Sequence, residues 1–169
     1  MNIELQPIGQ ISPWLLEGIK RGLYSAIGYT ASVNLPVPVP SQAYDATRKQ
    51  YLADMLIEEL YHCRKKGTYL LGVTSVDLFT QGKNFIFGEA SPMKETAVIS
   101  LYLLGGSGIC DELLLQRAIK EAVHEIGHLL GMDHCSDSRC VMHFSNSLID
   151  TDIKNAFLCT NCRPRLLKD

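Results

Sequence analysis

The sequence predicts an α/β (α+β) fold in two unequal parts: a body of sheet and helices over residues 1–131, and a small lower part over 132–169. Three observations predict it. Strand-like and helix-like apolar periodicities alternate through the first 130 or so residues. Gly131 ends the last long helical pattern, at a residue type suited to a left-handed helix terminus. Beyond it, 38 residues hold four of the six cysteines and only scattered apolar residues, so that segment cannot build a core of its own. A chain of 169 residues suits one compact domain overall.

Residues 2–8 alternate weakly and read as a first strand. Ser12-Pro13 has the form of a helix start, a capping hydroxyl followed by proline at the first helical position. Leu15, Leu16, Ile19 and Leu23 carry that helix to about Ile27. Val33 to Pro40 is extended, and its three prolines exclude a central strand. Ser41 is expected to cap a long second helix with Leu52, Met55, Leu56, Leu60 and Cys63 on its buried stripe. Arg64-Lys65-Lys66 then reads as its solvated end, where cations complement the helix dipole.

Tyr69–Asp77 and Ala97–Leu104 are apolar enough for inner strands, with a shorter one at Asn84–Glu89 between them. Gly105-Gly106-Ser107-Gly108 breaks the chain, and Asp111 is the expected cap of the next helix. Its stripe is Leu115, Ala118, Ile119, Ala122, Val123, Ile126 and Leu130.

Composition narrows the function. With 46% hydrophobic and 20% charged residues and a formal net charge of −2, nothing electrostatic points to nucleic acid. No run of about 18 apolar residues appears, so no membrane span is expected. The first residues lack the basic start and apolar run of a signal peptide, which makes the cytoplasm the expected location. A reducing compartment favours metal binding over disulfides for the cysteines. A monomer is the expected state.

The decisive string runs from His124 to His134 and has the form HExxHxxGxxH. Histidines at i and i+4 share one helix face, so His124 and His128 can reach one ion. His134 can join them only if the chain turns back at Gly131. Zinc takes nitrogen ligands in a tetrahedron and, in catalytic sites, leaves one position open. Glu125 follows the first ligand directly and can act as general base toward water whose pKa the metal lowers to about 7. A chance match of the five fixed positions is on the order of 1 in 10⁵ for a chain of this composition, so packing histidines are the weaker reading.

Cys135, Cys140, Cys159 and Cys162 form two pairs in the poorly cored segment. That pattern suits a closed four-thiolate zinc site that stabilises the fold. A redox CxxC is the competing reading, but its thioredoxin-like setting is absent. Cys63 and Cys110 have no motif context and are expected to be buried free thiols, and His62 to face solvent or pack.

The run HExxHxxGxxHC, four residues, CxM, a spacer and CxxC, from His124 to Cys162, resembles the archaemetzincins (archaelysins). These are small metzincin-type zinc metallopeptidases. The resemblance implies a metzincin-like mixed twisted sheet, two backing helices, an active-site helix and a small zinc-stapled C-terminal subdomain. It implies two zinc ions: a catalytic one on His124, His128 and His134 with Glu125 as base, and a structural one on Cys135, Cys140, Cys159 and Cys162. Met142 matches the Met-turn methionine beneath the metal. An edge strand above the cleft, here Phe85, Ile86, Phe87, Gly88, Glu89 and Ala90, would pair with an extended peptide or protein substrate.

One residue departs from the pattern of some metzincins, which place a tyrosine two positions after that methionine. Here it is Phe144, which has no hydroxyl. The donor's role would pass to His143, to a tyrosine elsewhere, or to the metal alone, and His143 reads equally as an exposed loop residue. The leading function is a zinc-dependent peptidase. The motif fixes the reaction class and not the pocket, so a zinc amidase or deacylase on a small molecule stands beside it. So does a zinc-bound binding module with negligible turnover.

Overall fold

The computed structural model describes residues 2–105 and 108–166. The Gly106-Ser107 part of the expected glycine-rich break lies outside the described residues. Strand β1 (Asn2–Ile8) leads to helix α1 (Pro13–Ile27), with Pro13 in its first turn as expected, although the Ser12 side chain makes no capping bond. Strand β2 (Ala31–Val33) follows at one edge of the sheet, and the proline-bearing stretch after it adds a lone bridge between Ile8 and Val37.

The expected long second helix is shorter than the sequence suggested. A 3-10 turn at Ser41–Ala43 and a two-strand hairpin, β3 (Tyr44–Asp45) and β4 (Gln50–Leu52), come first. Helix α2 covers only Ala53–Cys63. The reason is local: Asp45 Oδ1 accepts from the backbone N–H of Thr47 and Arg48, and Lys49 takes a positive φ of 58°. An aspartate turn of this kind competes with helix for the same backbone groups.

Strand β5 (Thr68–Thr74), short β6 (Leu78–Phe79), β7 (Gly88–Ser91) and β8 (Thr96–Ser100) follow. Asn84–Glu89 is therefore a strand only from Gly88, with Ile86 held by one bridge to Leu78. Ala97–Leu104 also ends early, because α3 (Tyr102–Gly105) turns the chain there and Leu101 N–H bonds back to Thr74. Helix α4 (Asp111–Leu129) starts one residue earlier than expected: Cys110 is the cap residue and Asp111 the first helical one, where its charge suits the dipole. A short α5 (Leu148–Ile153) and a 3-10 turn at Arg163–Arg165 complete the fold.

The main sheet has the order β2-β1-β5-β8-β7, parallel except for the antiparallel edge strand β7. Alternate residues face opposite sides, as strand geometry requires. Leu71, Val73, Ala97 and Ile99 pack with α1 and α4, while Leu70 and Val98 pack with α2. A sheet buried on both faces explains why its central strands read as continuous apolar runs. The basic run after α2 is tied down: Arg64 pairs with Glu95 at 2.7 Å and Lys65 with Glu4 at 2.8 Å. Cys63 and Cys110 are exposed rather than buried, since each sits at a helix end pointing away from the core. His62 is exposed and pairs with Glu58.

Candidate active site

Every residue of α4 from Glu121 to Gly127 is buried, although an apolar stripe would cover only one side. The helix is covered on one side by α1 and the sheet, and on the other by the chain around Cys140–Met142. Polar residues of the motif are therefore held in the interior, and each must find a partner.

His124 Nδ1 lies 2.8 Å from the Val141 carbonyl, and His128 Nδ1 lies 2.8 Å from that of Met132. A ring whose Nδ1–H donates to a carbonyl keeps its lone pair on Nε2, available to a metal. The two Nε2 atoms stand 3.1 Å apart. Two nitrogens about 2.0–2.1 Å from one tetrahedral zinc would be separated by roughly 3.3 Å, so the pair fits. Burial drives His124 down to about 2, with the Lys154 ammonium adding to it, and burial also lowers His128 and His134. All three are neutral imidazoles, the form that binds metal.

The third histidine arrives by the turn that Gly131 makes. Gly131 has φ +78°, its N–H donates to the His128 carbonyl, and Met132 N–H donates to that of Gly127. This bond pair is a Schellman motif. The same turn points the Met132 carbonyl at His128, so one backbone feature stops the helix and fixes a ring. His134 then stands with its ring centroid 5.3 Å from that of His124 and 4.8 Å from that of His128. One nitrogen from each of the three lies within 4.8 Å of the others.

Met142 packs directly under the helix. A β-carbon on Gly127 would fall 2.4 Å from its sulfur, so only glycine at that position lets the methionine lie there. Glu125 is buried in the same cleft, and a β-carbon on Gly88 would fall 2.6 Å from its Oε1. Burial holds the Glu125 carboxyl well above the ordinary range, and the nearby Glu121 carboxylate adds to this while Lys154 opposes it.

Glu121 and Lys154 carried no signal in the motif. Lys154 is fully buried, and its Nζ is 3.0 Å from Glu121 Oε1, to which Thr151 also donates. Alongside, Arg117 grips Asp152 with two bonds of 2.8 Å. Lys120 donates to the carbonyls of Thr151 and Asp152. Helix α5 and the residue after it are thus fastened along α4 by three basic side chains. Glu121 could have been noticed as a charge one turn before Glu125. Lys154 could not, because its surroundings have no periodicity.

A cleft of about 610 Å³ opens over these groups, walled by Phe85, Phe87, Gly88, Glu89, Glu121 and Phe144 among others. Strand β7 forms its rim. The Ser100 N–H donates to the Phe87 carbonyl, and the register pairs Gly88 with Ile99 and Ala90 with Ala97. In an antiparallel ladder the bonded pairs alternate, so the backbone groups of Gly88 and Ala90 point outward from the sheet. The six-residue segment named from the sequence is thus split. Gly88, Glu89 and Ala90 are strand, whereas Ile86 and Phe87 are buried and Phe85 is exposed in the approach to it. His143 turns away: its Nδ1 is 3.0 Å from the Cys135 carbonyl, and it is half-buried rather than exposed.

The cysteines converge as a second cluster. Cys135, Cys140, Cys159 and Cys162 are free thiols whose sulfurs lie within 4.8 Å of one another, with Cys135 and Cys159 at 3.8 Å. Sulfurs about 2.3 Å from one tetrahedral zinc would stand roughly 3.8 Å apart. Burial raises the Cys140 and Cys162 thiols. For Cys159, burial opposes ionisation, but the backbone N–H groups of Cys162 and Asn161 outweigh it and bring the thiol down to about 7.

Three neutral imidazoles in a cleft on an α/β sheet, a carboxylate beside them and a four-thiol cluster below define the zinc metallopeptidase class. The comparisons agree. The profile of Peptidase family M54 matches residues 23–168. The archaemetzincin of Pyrococcus furiosus is 43% identical over 171 residues, covering 95% of this chain and 89% of that one. That of Thermococcus kodakarensis is 39% identical, covering 99% and 96%. Among solved structures, the archaemetzincin of Methanopyrus kandleri superposes with a TM-score of 0.89 at 33% identity, covering 99% and 94%. The malonate complex of the Archaeoglobus fulgidus archaemetzincin gives 0.85 at 35%, covering 98% and 99%. The chain belongs to the archaemetzincins of peptidase family M54.

Proposed function

We propose that this chain hydrolyses peptide bonds, with zinc on His124, His128 and His134 and with Glu125 as general base. The observation that carries the reading is that the buried Glu125 side chain lines one cleft with the three converging imidazoles and lies against Gly88 of the open edge strand. Bound zinc supplies a Lewis acid and brings water's pKa to about 7. Glu125 accepts a proton from the attacking water and passes it to the leaving amine. The outward backbone groups of Gly88 and Ala90 align an extended peptide, which favours peptides over a small amide. The cleft walls and the buried helix hold Glu125 in one place.

A second zinc on Cys135, Cys140, Cys159 and Cys162 staples the lower part, residues 132–169, to the upper part, residues 1–131, within one catalytic domain. Cys135 follows His134 directly, so the staple also steadies the third ligand. Met142 is the floor of the site. No helix among the described residues is long and apolar enough to cross a membrane, and the working picture is a cytoplasmic monomer.

The test pairs the zinc-loaded protein with its Glu125→Gln variant on a panel of peptides and small acyl amides. Peptide turnover that falls by about 10³-fold or more, with metal content intact, supports the reading. Turnover of acyl amides alone would indicate an amidase or deacylase. Biological activity that survives the substitution would indicate a binding module.

A further inference from the structure

The cleft wall around Phe144 has chemistry that the hydrolytic machinery does not use. Lys83 is the one lysine or arginine among the residues lining the cleft, against three glutamates, Glu89, Glu121 and Glu125. Its Nζ stands 4.9 Å from the centroid of the Phe144 ring, which in turn lies 5.0 Å from the His134 ring. Lys83 makes none of the ion pairs found among the described residues. Its loop is shaped by a bond from its own N–H to the Thr80 carbonyl and by Arg48, which donates to its carbonyl. A long cation that rests on an aromatic face is restrained while its N–H donors remain free to bond.

The second observation comes from the residue after Phe144. Ser145 lines the same cleft, and its Oγ is buried with no hydrogen-bond partner. Buried hydroxyls are satisfied in nearly all native structures, so this one has its hydrogen-bonding capacity open to a group entering the cleft. The Lys83 cation on the Phe144 ring and the hydroxyl of the next residue, both lining one cleft, form a donor pair suited to a carboxylate.

The geometry points to a carboxylate-binding subsite made by Lys83 and Ser145 on the Phe144 wall, which selects substrates that carry a carboxylate close to the bond cleaved. The inference rests on the peptidase reading and names the substrate class of that site. By way of the Phe144 ring, Lys83 reaches the His134 side of the cleft across no more than two or three residues of extended chain, at roughly 3.3 Å each. The carboxylate comes from an aspartate or glutamate side chain, or from the substrate's own C-terminus. Phe144 then has a role for which tyrosine is unnecessary: it is the platform that holds the cation.

The experiment measures binding, not turnover. Zinc-loaded protein carrying Glu125→Gln is titrated calorimetrically with four peptides of one sequence, with Asp or Asn near the centre and a free or amidated C-terminus. At least one carboxylate is expected to tighten binding about fivefold at low salt. The advantage should shrink at high salt and fall toward one when Lys83→Gln is added. Ser145→Ala should remove part of it. The arm that shows the advantage identifies its source, side chain or C-terminus. Binding without any carboxylate preference overturns the subsite and leaves the peptidase reading intact. So does a preference that survives Lys83→Gln. Failure of all four peptides to bind overturns both.

Discussion

The Glu125 carboxylate lies against the backbone of Gly88, so closely that a β-carbon there would come within 2.6 Å of Oε1 and 2.8 Å of Cγ. The edge strand and the Glu125 side chain thus share one van der Waals surface. Whatever aligns substrate along β7 also sets its distance from the carboxylate.

Gly88→Ala tests that contact. The new methyl must push Glu125 aside, and displacements near 1 Å at a reacting group cost on the order of 10²-fold in rate. Turnover should fall by about ten- to a hundredfold while zinc content and unfolding midpoint stay near wild type. Steady-state kinetics with elemental analysis would show it. Unaltered turnover would mean that Glu125 has room to spare.

Ala90→Pro tests the rim. The outward N–H of Ala90 lies outside the β7–β8 ladder, so proline removes a donor to substrate without removing one from the sheet. KM for peptides should rise several-fold, with kcat much less affected. Glu89→Pro, which deletes an inner ladder bond, serves as the contrast and should destabilise the fold. If Ala90→Pro leaves KM where it was, the substrate does not pair with this strand.

Metal content tests the lower cluster. Two zinc ions per chain are expected in the wild type and one in Cys159→Ser/Cys162→Ser, with a lower thermal midpoint. Structural zinc contributes folding free energy directly, so a chelator should reproduce the loss of stability. One zinc in the wild type, or thiols that titrate as disulfides, would remove the four-cysteine site.

The Lys154–Glu121 pair predicts an asymmetry. Lys154→Met alone leaves a carboxylate buried without its partner and should destabilise by about 3–5 kcal/mol in denaturant titration. Adding Glu121→Gln should recover much of that loss, since an amide costs far less to bury than an unpaired charge. Equal destabilisation in the single and double variants would show that the pair is not coupled.

The sequence alone determined the candidate metal ligands of this protein, because metal binding is encoded in residue type and short spacing. His124 and His128 meet because a helix repeats every 3.6 residues, and Gly131 reverses the chain because glycine tolerates a left-handed φ. The strand at 2–8 and the helix at 13–27 were legible from local periodicity for the same reason, and the apolar run expected as a strand over 69–77 forms one that ends at Thr74. The start of α2 was not, since the Asp45 turn takes backbone groups a helix would need and β4 is held by pairing with β6, well separated in sequence. Only the tertiary structure decided what surrounds the site: Gly88 against Glu125, Met142 under Gly127, Lys154 beside Glu121, Lys83 over Phe144. These contacts join residues about 15 to 60 positions apart. Packing at that separation leaves no period in the chain, because it is fixed by where whole elements come to rest.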